Sequence, residues 1–450
     1  MKIVQITPGS GDSFYCENCL RDQAFVKTLR SQGHDVVMVP LYLPLQNESP
    51  ETLTNAPIFF GGVNVYLQQK LGVFRKTPRW LDRIFDNRTL LSWVSRKAGM
   101  TSARDLGEAT LSMLKGQHGR QVKELDRLVE WLSRDSERPD VIILSNVLLS
   151  GLAAALRQHL QVPVVCLLQD EEGFVDGLGG SYTEKAWELL RINCREISAF
   201  VSVSRAYGRR IAPKLGLDEN RLYTLYMGVD MKTYQPADSS PDRPTIGFLS
   251  RMCPKRGLDT LVEAFILLKQ APELKSCQLQ ITGGRSRADE PFLRSIHRRL
   301  VQAGVAGDVI FIPEFLGERR QDWVRRLTVM CVPEKEEAAY GLFAMEALAM
   351  GVPVVLPEIG IFPELIALTG GGVLVKENSP QSFAAALKPL LLDPNAACKL
   401  GQQGRMGMKA HFNVEKTATD LIALLEKIVG AAQGLSGRQY FTTEAQRPQR

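Results

Sequence analysis

No apolar run in this sequence approaches the ~20 residues that a membrane-spanning helix requires, so the expectation is a chain that can touch a membrane without crossing it. A secretory signal is also missing, because Met1-Lys2-Ile3-Val4 already reads as a strand, and a reducing cytoplasm is the expected compartment. Cysteine is sparse, eight residues in 450, and only Cys16 and Cys19 lie close together. No second close Cys or His pair completes four ligands, so a zinc or redox centre is not supported, and the two thiols read as small hydrophobes at a helix start. Neither sign of charge is in marked excess: 55 basic against 49 acidic residues leave +6. That balance permits anionic substrates and carries no footprint of a nucleic-acid binder.

What is present is the composition of an ordinary globular protein, 44% apolar and 23% charged, with length enough for two or three independent cores. KIVQIT, the glycine-bearing PGSGD, a helical pattern from about Cys19 to Gln32 and then VVMVPLYL form a βαβ unit with a parallel sheet. Ligands of such sheets sit at the carboxyl ends of the strands, which places Gly9 and Gly11 at a cleft. PGSGDS lacks the third glycine and the acidic residue of a dinucleotide fingerprint, so NAD binding is excluded. The pair Gly61-Gly62, set between apolar residues, is expected to form a second rim of that cleft.

RKTPRWLDRIFDNRTLLSWVSRK carries Trp80, Leu81, Ile84, Phe85, Leu91 and Val94 at helical spacing among basic residues. An insertion packed on the first domain accounts for it; the other reading is a surface resting on anionic lipid or gripping a lipid-linked acceptor. The sheet resumes with DVIILSN and VPVVCLLQDEEGF, whose end concentrates Gln169, Asp170, Glu171 and Glu172 where a parallel sheet opens. Glu171 and Glu172 also fit a solvated loop. After AFVSVSRAYGRRI and MGVDMKTY, the polar, proline-bearing PADSSPDRP reads as an interdomain linker.

A second βα series begins at TIGFLSRMCPKRGLDTLVEAF. Arg251 and Arg256, with Lys255 beside the latter, flank one strand-to-helix turn and could clamp a diphosphate. Gly283-Gly284 ends another strand. In EEAAYGLFAMEALAMGVPVVLPEIGIFPE a loop turns at Gly341 into an apolar helix, so the amides of Leu342 and Phe343 are placed to meet a phosphate. Glu346 interrupts that helix. Either it faces solvent, or it is buried and bonded, as to a ribose diol.

GHDV, SVSRAYGRRI, MGVDMKTY, FLSRMCPKRGLDTLVEAF and YGLFAMEALAMGVPVVLPEIGIFPELI, in that order and spacing over nearly the whole chain, resemble the GT-B glycosyltransferases of family 4, the glycosyl transferases group 1. The resemblance implies an α/β fold of two Rossmann-like domains with parallel sheets facing across a cleft and a C-terminal helix returning to the first. The expected division is 1–230 with a helical insertion at about 70–130, a linker over 231–244, a nucleotide-sugar domain over 245–411, a crossover helix over 412–429 and a disordered tail over 430–450. It also implies retaining, metal-independent sugar transfer from a UDP- or GDP-sugar to a hydroxyl of a glycan, lipid-linked or small polar acceptor. No cofactor is expected, nor any nucleic-acid partner, and the Trp80–Val94 stretch leaves peripheral contact with an anionic membrane face as an open alternative.

On that resemblance Glu346 binds the ribose hydroxyls, and Glu314 and Phe315 lie where the family's loop cradles the base. The chain departs from the pattern in three places. Ala338 stands where the family usually has a glutamate eight positions before Glu346, and the adjacent Glu337 is the candidate replacement near the sugar. Arg256 stands where the family most often has Lys. Gln169-Asp170 ends the strand that often ends in His-Asp; Gln169 can hold a sugar hydroxyl but cannot act as a base, which leaves Asp170 the polar role at the reacting carbon. Ala338 and Gln169 motivate an alternative, a nucleotide-sugar-binding protein that kept the fold and lost the chemistry.

Overall fold

A computed structural model describes residues 1–8, 17–41, 103–237, 241–313 and 317–444, with only the backbone given at 17–21, 103–105 and 433–444. Gly9, Gly11, Gly61, Gly62, Glu314, Phe315 and the Trp80–Val94 stretch lie outside the described residues. The chain divides into two compact units. Met1–Val203, Gly208–Leu225 and Ala418–Arg450 form the first; Ser204–Tyr207 and Tyr226–Thr417 form the second.

In the first unit β1 (Lys2–Thr7), β2 (Asp35–Pro40), β3 (Val141–Leu144), β4 (Val164–Leu168), β5 (Ala199–Ser202) and β6 (Leu222–Thr224) make one parallel sheet, ordered β2-β1-β3-β4-β5-β6. Its central strands are apolar at nearly every position, VIIL, VVCLL and AFVS, and every residue in them is buried. That is the pattern of strands covered on both faces. Register is set by pairs such as Ile3 against Val36 on one side and Val141 on the other. The described part of the expected insertion contains helices Ala103–Leu114 and Val122–Leu132. In the latter Leu125, Leu128, Val129 and Leu132 are buried on one stripe, as an amphipathic helix requires.

The second unit repeats the plan. β7 (Thr245–Leu249), β8 (Gln278–Thr282), β9 (Val309–Phe311), β10 (Val329–Cys331), β11 (Val354–Pro357) and β12 (Gly372–Val375) are ordered β12-β11-β10-β7-β8-β9, again parallel. Helix starts follow local chemistry. Ser379 caps Pro380–Leu392 by accepting from Ser382 N, and Asp393 caps Pro394–His411 by accepting from Ala396 N, each with proline in the first turn.

Two expected boundaries differ from the structure. Most of the polar stretch read as a linker is described, and it belongs to the second unit: Arg405 donates to Tyr234 O at 2.6 Å and to Gln235 Oε1 at 3.0 Å. The last helix runs from Val414 to Glu444, so the expected disordered tail is helical as far as Glu444. Composition misjudged it because the segment is polar, yet no proline interrupts it before Pro448. No helix among the described residues is long and apolar enough to cross a membrane. The cysteines whose side chains are described are free thiols, Cys398 exposed and the other five buried, and burial pushes Cys194 and Cys277 up to about 12.

Candidate functional site

Of the residues expected at a donor site, Gly283, Gly284, Arg251, Lys255, Arg256 and Gly341 are described in loops at the carboxyl edge of the second sheet. Gly283, just past β8, sits at φ +140, and a Cβ on it would lie 1.8 Å from Ser250 O, which follows β7. Only glycine lets these two strand ends approach so closely. Its neighbour Gly284 has nothing within 4 Å of the same construction. Gly283→Ala is therefore expected to destabilise the second unit by several kcal/mol. Gly284→Ala is expected to leave the denaturation midpoint unchanged while weakening nucleotide binding, if a phosphate approaches that open side. Equal stability losses in the two variants would refute the assignment.

Arg251, after β7, is more than half exposed and turns toward Asp289: its Nη2 lies 3.2 Å from Asp289 Oδ2 and 3.3 Å from Ser286 Oγ. Burial pushes the Asp289 carboxyl up, but hydrogen bonds from Ser286 and Arg251 outweigh it and hold the group below its ordinary value. Arg256 is held by a different acid: its Nη1 is 2.7 Å from Oε1 of Glu334, which is 2% exposed. Glu334 thus aims the guanidinium from the loop after β10. Lys255 pairs with Glu336 at 2.7 Å between two exposed side chains, an arrangement worth little.

Helix Leu342–Ala349 begins at Gly341, which has φ +71 and offers no side-chain cap. Its first-turn amides thus lack a cap from their own segment, as an anion site needs. A Cβ at Gly341 would stand 2.8 Å from the Phe362 ring, so the start is also sterically tied to glycine. In the loop before it, Glu337 is exposed and Ala338 is buried, with Ala338 O accepting from Ile361 N at 3.0 Å.

Glu346 is fully buried, which removes the solvent-facing alternative. Its Oε1 accepts from Tyr234 Oη at 2.7 Å and from Arg320 Nη2. Burial raises the carboxyl above its ordinary range, opposed by Arg320 and by the tyrosine bond. Oε2 is buried with no partner among the described residues. Sequence reasoning missed Arg320 and Tyr234, since neither RRQDW nor MKTY signals a partner for a distant glutamate. It also missed Glu364, which accepts from Arg205 N at 3.0 Å, Ala206 N at 2.6 Å and Tyr226 Oη at 2.8 Å.

In the first unit the acidic end of β4 is a built loop. Asp170 has φ +80, a left-handed backbone costing about 1–3 kcal/mol for a non-glycine residue. Glu171, 5% exposed, spans the strain: its Oε2 accepts from Gln169 N at 2.8 Å and its Oε1 from Val147 N at 3.1 Å, next to β3. Gln169 is buried and donates to Asp22 Oδ1 at 3.4 Å. Arg210 lies 2.6 Å from Glu172 and 3.4 Å from Asp170. Glu171 and Glu172 are therefore structural partners of the strand end, and the solvated-loop reading does not describe them. Among the described residues no three His, Cys, Asp or Glu side chains gather as a metal site would.

Two units, each built on a parallel α/β sheet with cations and carboxylates at its carboxyl edge, define a GT-B protein. Residues 243–393 match the family model for glycosyl transferases group 1, and residues 23–228 match that for the glycosyl transferase 4-like domain; the chain belongs to the group 1 glycosyltransferases. It is 30% identical over 237 residues to a D-inositol 3-phosphate glycosyltransferase of Jonesia denitrificans, covering 49% of this chain and 54% of that one. It is 27% identical over 214 residues to the lipopolysaccharide core biosynthesis mannosyltransferase LpcC of Rhizobium leguminosarum, covering 45% and 59%. The chain thus spans about half the length of the curated relatives it matches. Anabaena HepE in complex with UDP superposes with a TM-score of 0.67 at 15% identity, covering 95% of this chain and 100% of that one. Sucrose-phosphate synthase from Thermosynechococcus elongatus does so at 0.67 and 18%, covering 96% and 100%. At such identities the two structures establish the fold alone.

Proposed function

We propose that this chain is a retaining glycosyltransferase that moves a sugar from a UDP- or GDP-sugar to a hydroxyl of a glycan, lipid-linked or small polar acceptor. The observation that carries the reading is the donor edge of the second unit: Arg256 aimed by Glu334, the close approach at Gly283 and an uncapped helix start at Gly341. Preorganised cations and a helix N-terminus stabilise charge as it develops on a departing diphosphate. In this reading Arg256, Arg251 and Lys255 supply the cations without a metal, and the amides of Leu342 and Phe343 meet a phosphate oxygen. Glu337 contacts the sugar. Gln169 and Asp170, on the first unit, orient the acceptor and the reacting carbon, and the leaving phosphate takes the acceptor proton. HepE, a protein of the same fold, was crystallised with UDP and with UDP-glucose.

The test is calorimetry with UDP-, GDP- and ADP-sugars in the presence of EDTA. Micromolar to sub-millimolar binding of one uridine or guanosine donor is expected, with slow donor hydrolysis. No binding at millimolar concentration would sink the donor assignment. Tight binding with neither hydrolysis nor transfer to any acceptor would identify a silent nucleotide-sugar-binding member, the reading that buried Ala338 favours.

A further inference from the structure

We propose that Tyr234 and Arg320 are positioning residues that hold Glu346 ionised by one oxygen, Oε1, and so reserve the other, Oε2, for a hydroxyl of the donor's ribose. The inference rests on the nucleotide-sugar reading above. Tyr234 Oη and Arg320 Nη2 both donate to Oε1, from two separate segments that precede Glu346 in the chain, while Oε2 is buried and unpartnered among the described residues. A carboxylate oxygen left bare in a dry interior costs about 1–3 kcal/mol, and a hydroxyl bonding to it competes with no water.

The arrangement is rigid on every side. Arg320 is 6% exposed, on helix Gly317–Val324. Tyr234 is anchored through its own carbonyl to Arg405, which also donates to Ala349 O, the last residue of the helix that bears Glu346. Among the described residues the charged and titratable groups facing Glu346 are Arg320 and Tyr234, and Arg405 bonds the Tyr234 and Ala349 carbonyls. Burial favours the protonated carboxyl and these two donors oppose it. Losing either donor favours the neutral form, whose proton would occupy an oxygen that must accept.

Tyr234→Phe removes one donor and keeps the ring. UDP binding is measured by calorimetry from pH 5 to 8.5, alongside 2′,3′-dideoxy-UDP. The expected result is a three- to tenfold weaker affinity for UDP at neutral pH, an acid limb displaced to higher pH, and no change for the dideoxy analogue. Arg320→Lys, which keeps a cation without the guanidinium fork, is expected to act in the same direction. A purely structural tyrosine would weaken both nucleotides equally at every pH, and that outcome overturns the proposal, as does unchanged UDP affinity in a folded Tyr234→Phe. If no nucleoside diphosphate binds the unaltered protein, the donor reading fails and takes this inference with it. Binding by the unaltered protein with a silent variant isolates the failure here.

Discussion

Arg256→Ala is expected to weaken UDP binding about 10- to 150-fold, the equivalent of one charge-assisted hydrogen bond of roughly 1.5–3 kcal/mol. Two costs combine in that variant and can be separated. The ligand loses a cation, and Glu334, 2% exposed, loses the guanidinium 2.7 Å away. Arg256→Lys restores charge without the planar fork and should recover part of the affinity. Isothermal calorimetry on protein shown to be folded by circular dichroism decides it. If folded Arg256→Ala binds UDP as the parent does, Arg256 serves Glu334 alone and the diphosphate clamp must be sought elsewhere.

Arg320→Met is expected to cost more stability than any other single substitution considered, about 3–5 kcal/mol, because it strands a buried carboxylate. The urea midpoint should fall sharply at pH 8 and less at pH 5. The sign follows from Glu346: its folded pKa is raised by burial, and without Arg320 it rises further. Such a carboxyl contributes stability below its unfolded pKa and loses it as pH climbs through the folded value, so acid should rescue the variant. Adding Glu346→Gln should recover much of the loss at pH 8. A loss below about 1 kcal/mol, or one independent of pH, would show that the pair is not the electrostatic unit the geometry describes.

The architecture was largely legible in the sequence because parallel strands buried on both faces write themselves as apolar runs, and VIIL and VVCLL permit little else. Glycines at strand ends were legible for a related reason, since a backbone that must approach Ser250 O within 1.8 Å of a would-be Cβ tolerates nothing larger than hydrogen. Glu346 was legible as a problem, an acid in an apolar helix, but its solution was not. Tyr234 lies 112 residues before it, in a stretch whose prolines read as a linker, and Arg320 lies 26 residues before it, in the basic stretch RRQDWVRRL. Only the tertiary fold brings those segments onto one oxygen. Glu171 illustrates the same limit from another side. Two adjacent glutamates look equivalent in sequence, and burial between the ends of β3 and β4 selects one of them to bind two backbone amides.

Asp170 carries a consequence for how this fold can vary. A left-handed backbone with φ +80 suits glycine, and aspartate there carries a strain of about 1–3 kcal/mol that glycine would relieve in part, offset by the greater freedom glycine loses on folding. On the proposed role of Asp170 at the reacting carbon, the position is a local conflict between thermostability and side-chain chemistry. Stabilising replacements sought across this chain would include Asp170→Gly, and any gain in melting temperature would come with the removal of a carboxylate at the end of β4 that pairs with Arg210 at 3.4 Å.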